Sequence, residues 1–210
     1  MLKIEVLAIL LSMTIFLSIS NAQELTPDIE AILCSVEADG LPVDAIESKA
    51  HEGLAKGVAP ARIASVLVEM QDDLVIANAL LELPEDAPDR DEVLSATASA
   101  LRAAISADTL RRLASLPKQV RGPAIQSMVD LMQIGFSQAQ SAQLVEDAAA
   151  RNGEVLSSLT IASGALLAQG TSHTDVLQQL TTELAAGQSS FVALNNGNGN
   201  GNDNDNDNGN

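Results

Sequence analysis

Apolar residues recur at helical spacing along most of the chain, and the alternation expected of strands is absent. Ile63, Val66, Leu67, Met70, Leu74 and Val75 share one face of a predicted helix that opens at Pro60 and runs to about Leu83. Upstream, Thr26-Pro27-Asp28 reads as the N-cap, N1 proline and first-turn acid of a helix ending near Asp39-Gly40. A second helix fits from about Pro42 to Lys56. Pro84 and Pro88, set among acids, form a linker and place a sub-boundary at 83–90. Further helices fit 90–104, 107–116, 123–134, 138–151, 154–169 and 173–186, punctuated by Leu116-Pro117, Gly122-Pro123, Asn152-Gly153 and Gly187. The pattern predicts an all-α fold: an irregular bundle of about nine short helices joined as αα-hairpins over residues 23–187.

The helix junctions follow one plan. Gly57-Val58-Ala59-Pro60, Ala104-Ile105-Ser106, Gly135-Phe136-Ser137 and Gly170-Thr171-Ser172 each place a small residue at a helix end and an apolar residue or Thr after it. In the last three a Ser follows, ready to cap the next helix. Val58 with Ile63 and Ile105 with Leu110 have the N′ to N4 spacing of a hydrophobic staple, and Ser137 with Gln140 has the spacing of a capping box. The third copy is the weakest, since Ser141 stands where an apolar staple partner belongs. The junctions recur too unevenly for a solenoid of fixed period. Divergent hairpins in one bundle are the first reading, and a short helical-repeat array with a concave face is the other.

Both ends of the chain differ from this body. Lys3, the apolar run from Val6 to Ile19 and the small residues of Ser20-Asn21-Ala22 read as a secretory signal peptide over 1–22, cut before Gln23. The run is too short for a comfortable membrane span, so no span is expected after cleavage, and export to the periplasm or the exterior is. Lys3 and Glu5 leave together, and the formal charge of −17 stays with the mature chain. After Leu194 the sequence is Asn, Gly and Asp only, which reads as a disordered tail over 188–210. Asp203, Asp205 and Asp207 alternate as in the first half of a calcium loop, but no Glu follows to complete the cage.

Composition narrows the core and the partners. Trp and Tyr are absent, and Phe136 and Phe191 are the aromatics beyond the leader, so the core must come from Leu, Ile, Val, Met and Ala. A helical body of roughly 165 residues buries about 70% of its unfolded surface, enough for a core held by packing alone. The acidity repels phosphate backbones and anionic lipid, which argues against nucleic acid and membrane surfaces as partners. Charge is uneven: acids dominate from Glu69 to Glu92, whereas Arg102, Arg111, Arg112, Lys118 and Arg121 face Asp108 alone across Val93 to Val129. Two helix faces that attract each other within the fold account for this, and a basic dock for an acidic partner is the sharper alternative.

The stretch Glu52-Gly53-Leu54-Ala55-Lys56-Gly57-Val58-Ala59-Pro60-Ala61-Arg62-Ile63 resembles a helical-hairpin motif of exported bacterial proteins with no known activity. The resemblance covers roughly residues 41–83 and implies a hairpin, with no catalytic role attached. Physically, Glu52 and Lys56 are an i,i+4 pair, Gly57 supplies a left-handed closing residue and Pro60 starts the next helix. Gly53 and Gly57 have a Gly-x-x-x-Gly spacing, which in a water-soluble hairpin marks close helix approach.

No catalytic, cofactor-binding or metal-ligating set emerges. His51 and His173 form no helical zinc pair, and one cysteine makes no CxxC site. Ser172-His173-Thr174-Asp175 brings hydroxyl, imidazole and carboxylate together, but at positions that serve helix capping. His51 reads as a surface or half-buried residue of the second helix. Cys34 projects away from the Ile29, Ile32, Leu33 and Val36 stripe; it is either an exposed thiol able to pair with another chain or one packed under a neighbouring helix. The expectation is an exported, non-enzymatic helical protein of the cell envelope or exterior that binds a protein partner. The alternatives are an envelope hydrolase using scattered carboxylates and an acidic structural spacer.

Overall fold

The computed structural model describes residues 25–151 and 153–187. The segments read above as a signal peptide with its cleavage site and as an Asn/Gly/Asp-rich tail lie outside the described residues. Among the described residues the chain is all-helical: α1 (Pro27–Ala38), α2 (Val43–Ala55), α3 (Pro60–Leu81), α4 (Arg90–Arg102), α5 (Ala107–Ala114), α6 (Lys118–Gln133), α7 (Gln138–Ala149), α8 (Gly153–Ala168) and α9 (His173–Ala185). No described helix is long and apolar enough to cross a membrane. The chain forms two compact units that divide between Gln71 and Asp72, within α3.

In the first unit α1 packs against α2. Ile29 and Val36 of α1, Ile46, Ala50 and Leu54 of α2, and Ile63 and Leu67 of α3 are buried. Gly53 is the close-approach point: a Cβ there would lie 2.9 Å from Ile63 Cδ1. Thr26 stands at the N-cap of α1 as predicted, but its side chain makes no capping hydrogen bond, so Pro27 at N1 carries the start.

The second unit stacks three hairpins, α4–α5, α6–α7 and α8–α9. The first helix of the middle hairpin, α6, packs against both α4 and α8, and in the second layer α7 packs against α9. One core runs through the stack, from Val93 of α4 through Ile125, Met128 and Leu131 of α6 and Leu144 of α7 to Leu156 and Leu159 of α8 and Leu180 of α9. The segment between α3 and α4 belongs to this unit. Leu80, Leu81 and Leu83 pack on its core. Arg90 Nη2 donates to Asn78 Oδ1 at 2.9 Å, and Asp89 is held by Arg121. Those contacts make 83–90 part of a compact unit, with the division falling upstream in α3.

Each predicted junction closes by the same geometry. Gly57, Ala104, Gly135 and Gly170 all have positive φ, at 68°, 58°, 100° and 86°. The two backbone bonds of a Schellman closure accompany each: Val58 N–H reaches Gly53 O, Ile105 reaches Ala100, Phe136 reaches Leu131 and Thr171 reaches Leu166, all at 3.0–3.2 Å. Ala104 adopts this conformation without being glycine. Ser106, Ser137 and Ser172 cap the following helices, their side chains accepting from the N–H of Thr109, Gln140 and Asp175. Ser137 and Gln140 complete the predicted capping box.

Two expectations need correction. The helix predicted over 123–134 begins at Lys118, with Pro123 inside it. An interior proline costs about 3 kcal/mol, because Gln119 loses its i+4 donor and the ring crowds the preceding turn. The helix forms across it because this first turn is anchored by tertiary packing: Val120 is buried, and a Cβ at Gly153 would meet its Cγ1 at 2.6 Å. On α3, Val75 is 47% exposed, and Ala77 continues the buried stripe. At 100° per residue Val75 falls well off the line through Ile63, Leu67 and Leu74.

Candidate functional site

The motif hairpin of the first unit forms a cleft of about 180 Å³ between α2 and α3, lined by Lys49, Glu52, Gly53, Lys56, Val58, Arg62, Ile63, Val66 and Leu67. Its position follows from the local sequence. Gly57 turns the chain back on itself, and Gly53, lacking a Cβ, admits Ile63 at the base. Ile63 and Leu67 are buried, Val58 and Val66 half-buried, so the floor is apolar.

Charge sits at the rim. Lys49, Lys56 and Arg62 are the only cations between Glu24 and Asp89, and all three converge on this cleft. Lys49 Nζ lies 2.7 Å from Glu52 Oε2, and Lys56 Nζ bonds Glu52 Oε1. These two ammonium partners, Lys49 foremost, hold the Glu52 carboxyl down at about 2. Lys49, Glu52 and Lys56 are between 42% and 66% exposed, so the cluster adds little to stability. Its effect is on what approaches: three positive charges against one negative leave a cationic rim over an apolar floor in an otherwise acidic chain.

None of the remaining candidates lines this cleft. Cys34 is exposed on α1. His51 is exposed, with Nε2 3.7 Å from Glu47 Oε1 one turn back. His173 works between hairpins. Its Nε2 lies 3.0 Å from the carbonyl oxygen of Ile134, the C-cap of α6, so Nε2 carries the proton and donates. Its ring also meets Phe136 edge-on at 4.9 Å between centroids. Ser172 and Asp175 serve as N-cap and first-turn acid of α9, as capping predicts. Gln138 occupies the same N1 position one hairpin earlier and also reaches back: it donates to Ser106 Oγ at 3.0 Å and Thr109 Oγ1 at 3.1 Å, and accepts from Ser106 N–H at 3.2 Å.

The basic stretch after Val93 is tied to carboxylates of its own unit. Arg121 bonds Asp89 in a two-pronged fork at 2.6 and 2.7 Å, with both side chains about 15% exposed or less. This guanidinium lowers the Asp89 carboxyl below its ordinary value and is itself raised by the pairing. Arg102 bonds Asp73, and Arg112 lies 2.5 Å from Glu146. Mutual attraction within the fold thus accounts for these arginines.

Sequence reading singled out Glu52, Gly53, Lys56 and Ile63 but not the part played by Lys49 and Arg62. The available signal was that every Lys and Arg between Glu24 and Asp89 falls within one hairpin. Among the described residues no cluster of three or more His, Cys, Asp or Glu side chains is arranged to hold a metal ion. Compared with known proteins, the chain matches no family model, no curated protein and no solved structure.

Proposed function

We propose that the chain is an exported, non-enzymatic binding module whose motif hairpin takes an acidic peptide segment of a protein partner, seating one apolar side chain of it in the α2–α3 cleft. The observation that carries this reading is the convergence of Lys49, Lys56 and Arg62 on an apolar floor. A cavity of about 180 Å³ is below the ~300–1,000 Å³ of small-molecule sites and suits a single anchoring side chain. Cations around an apolar pocket select an anchor flanked by carboxylates, and the acidic remainder of the surface repels a partner that approaches elsewhere. Export is proposed from Lys3, the Val6–Ile19 run and Ser20-Asn21-Ala22.

The test is an amide-shift titration of the protein, starting at Gln23, with a synthetic peptide of one Leu flanked on both sides by Asp. Shifts are expected at Gly53, Val58 and Ile63, with roughly tenfold weaker binding in Lys56→Gln and again in Arg62→Gln, about 1.4 kcal/mol each. Equal binding of a peptide with Lys in place of Asp, or shifts confined to other helices, overturns the reading.

A further inference from the structure

Among the described residues the stack of three hairpins leaves one apolar helix face uncovered at its end, and the sequence continues from there with a short apolar segment. In the first-helix layer, α6 shows what a position with neighbours on both sides requires. Its buried residues, among them Val120, Ala124, Ile125, Ser127, Met128, Val129 and Leu131, spread over more than half of the helix circumference. The next helix in that layer, α8, is buried on one half only, through Val155, Leu156, Leu159, Ala162, Ser163 and Leu166.

The opposite half of α8 presents Ile161, Gly164, Ala165 and Ala168. Ile161 is 73% exposed, and a Cβ placed on Gly164 would meet nothing within 4 Å. From Val155 to Ala168 the helix has no charged residue. Stacked helical hairpins need an end whose outer surface is polar or covered, and among the described residues nothing charged lies on this face from Val155 to Ala168 and nothing covers Ile161.

Length and order of the chain name the cover. At each earlier step the second helix of a hairpin is followed within a few residues by an element lying on the preceding first helix: α5 leads to α6, which packs on α4, and α7 leads to α8, which packs on α6. After α9, Gly187 has φ +81° and its N–H bonds Leu184 O at 3.0 Å, the same turn that closes the other helices. Gln188-Ser189-Ser190 follows, and then Phe191-Val192-Ala193-Leu194, beyond which the sequence becomes wholly polar.

We propose that Phe191–Leu194 docks on the outer face of α8 around Ile161 and caps the stack. Because α8 and α9 form an antiparallel hairpin, α9 ends beside the start of α8, and Ile161 lies about 12 Å along that helix. Four residues from Gly187 to Phe191 reach up to ~14 Å, and seven to Leu194 up to ~25 Å, so the apolar segment spans the patch. A short tether gives an effective concentration near the millimolar range, which favours this segment over a second copy at ordinary protein concentration.

The chain lacks Trp, so Phe191→Trp in the full chain after signal removal gives a single reporter. Docking predicts blue-shifted emission and several-fold weaker acrylamide quenching than for a free tryptophan, both independent of protein concentration. Ile161→Glu, or Ala168→Glu as a second substitution on the same face, shifts the emission to that of an exposed tryptophan with helical circular dichroism retained. Ile76→Glu, at an exposed site on α3, leaves it unchanged. Exposed emission in the Phe191→Trp parent overturns the proposal, as does shielded emission indifferent to both α8 substitutions. Shielding that appears only at concentrations where light scattering detects a dimer assigns the face to a second copy and overturns it too.

Discussion

The junction at Gly57 and the junction at Gly135 have the same backbone and different surroundings. Both place glycine at positive φ between two Schellman hydrogen bonds. Around Gly57 there is open space, since an added Cβ would meet nothing within 4 Å, and the side chains beyond it border a cleft rimmed by cations. Around Gly135 the next hairpin closes in: an added Cβ would lie 2.9 Å from His173 Nε2, which donates to Ile134 while its ring rests on Phe136. One closure therefore serves two ends. Where no described residue closes on it, it borders an open cleft; where a hairpin does, it becomes the seam between hairpins.

The strongest way to break this comparison is Gly135→Ala. It meets the left-handed penalty of about 1–2 kcal/mol and also displaces His173, losing a hydrogen bond and an aromatic edge contact worth roughly 1 kcal/mol each, so a loss of about 3 kcal/mol is expected in urea unfolding. Arg121→Ala comes next, at about 2 kcal/mol near neutral pH, because it breaks a shielded charge-assisted fork to Asp89.

The acid limb of stability tests the same pair. Asp89 is depressed in the folded state, so its contribution is present above the unfolded value of about 4 and is lost as pH falls through the lower folded value. Arg121→Ala should flatten that limb, and an unchanged acid profile would remove the pair from the account. Gly57→Ala is the smallest, at about 1 kcal/mol, since only backbone conformation opposes it. Equal losses at Gly57 and Gly135 would show that the stacked hairpin adds nothing to the second junction.

The unevenness of the four junctions is also informative. Ala104 holds φ 58° where glycine would serve more easily, yet Ser106 still caps α5 and Gln138 still reaches back to it. At the third copy the residue that breaks the staple pattern, Ser141, is wholly buried with a hydroxyl that has no hydrogen-bond partner among the described residues. Phe136 finds its contact instead on His173, one hairpin further on. The staple rule reads a local pair, and here the neighbour was supplied by a different part of the chain.

The candidate site divides in the same way. Glu52 with Lys56, and the closing turn at Gly57, were legible because residues four apart meet on any helix and a left-handed turn calls for glycine. The close approach at Gly53 was legible from its spacing. That Lys49 and Arg62 share a cleft with them depends on the angle at which α3 returns along α2, which no local rule specifies.

By itself the sequence determined the all-helical class, most helix boundaries, the closing residues and the serine caps, all set by interactions spanning at most six residues. Tertiary structure alone decided that α6 runs through Pro123, that Val75 faces outward, that the compact units divide within α3, and that Gln138 and His173 join successive hairpins. Each of these depends on which distant segments pack or hydrogen-bond together, and no rule confined to neighbouring residues specifies that.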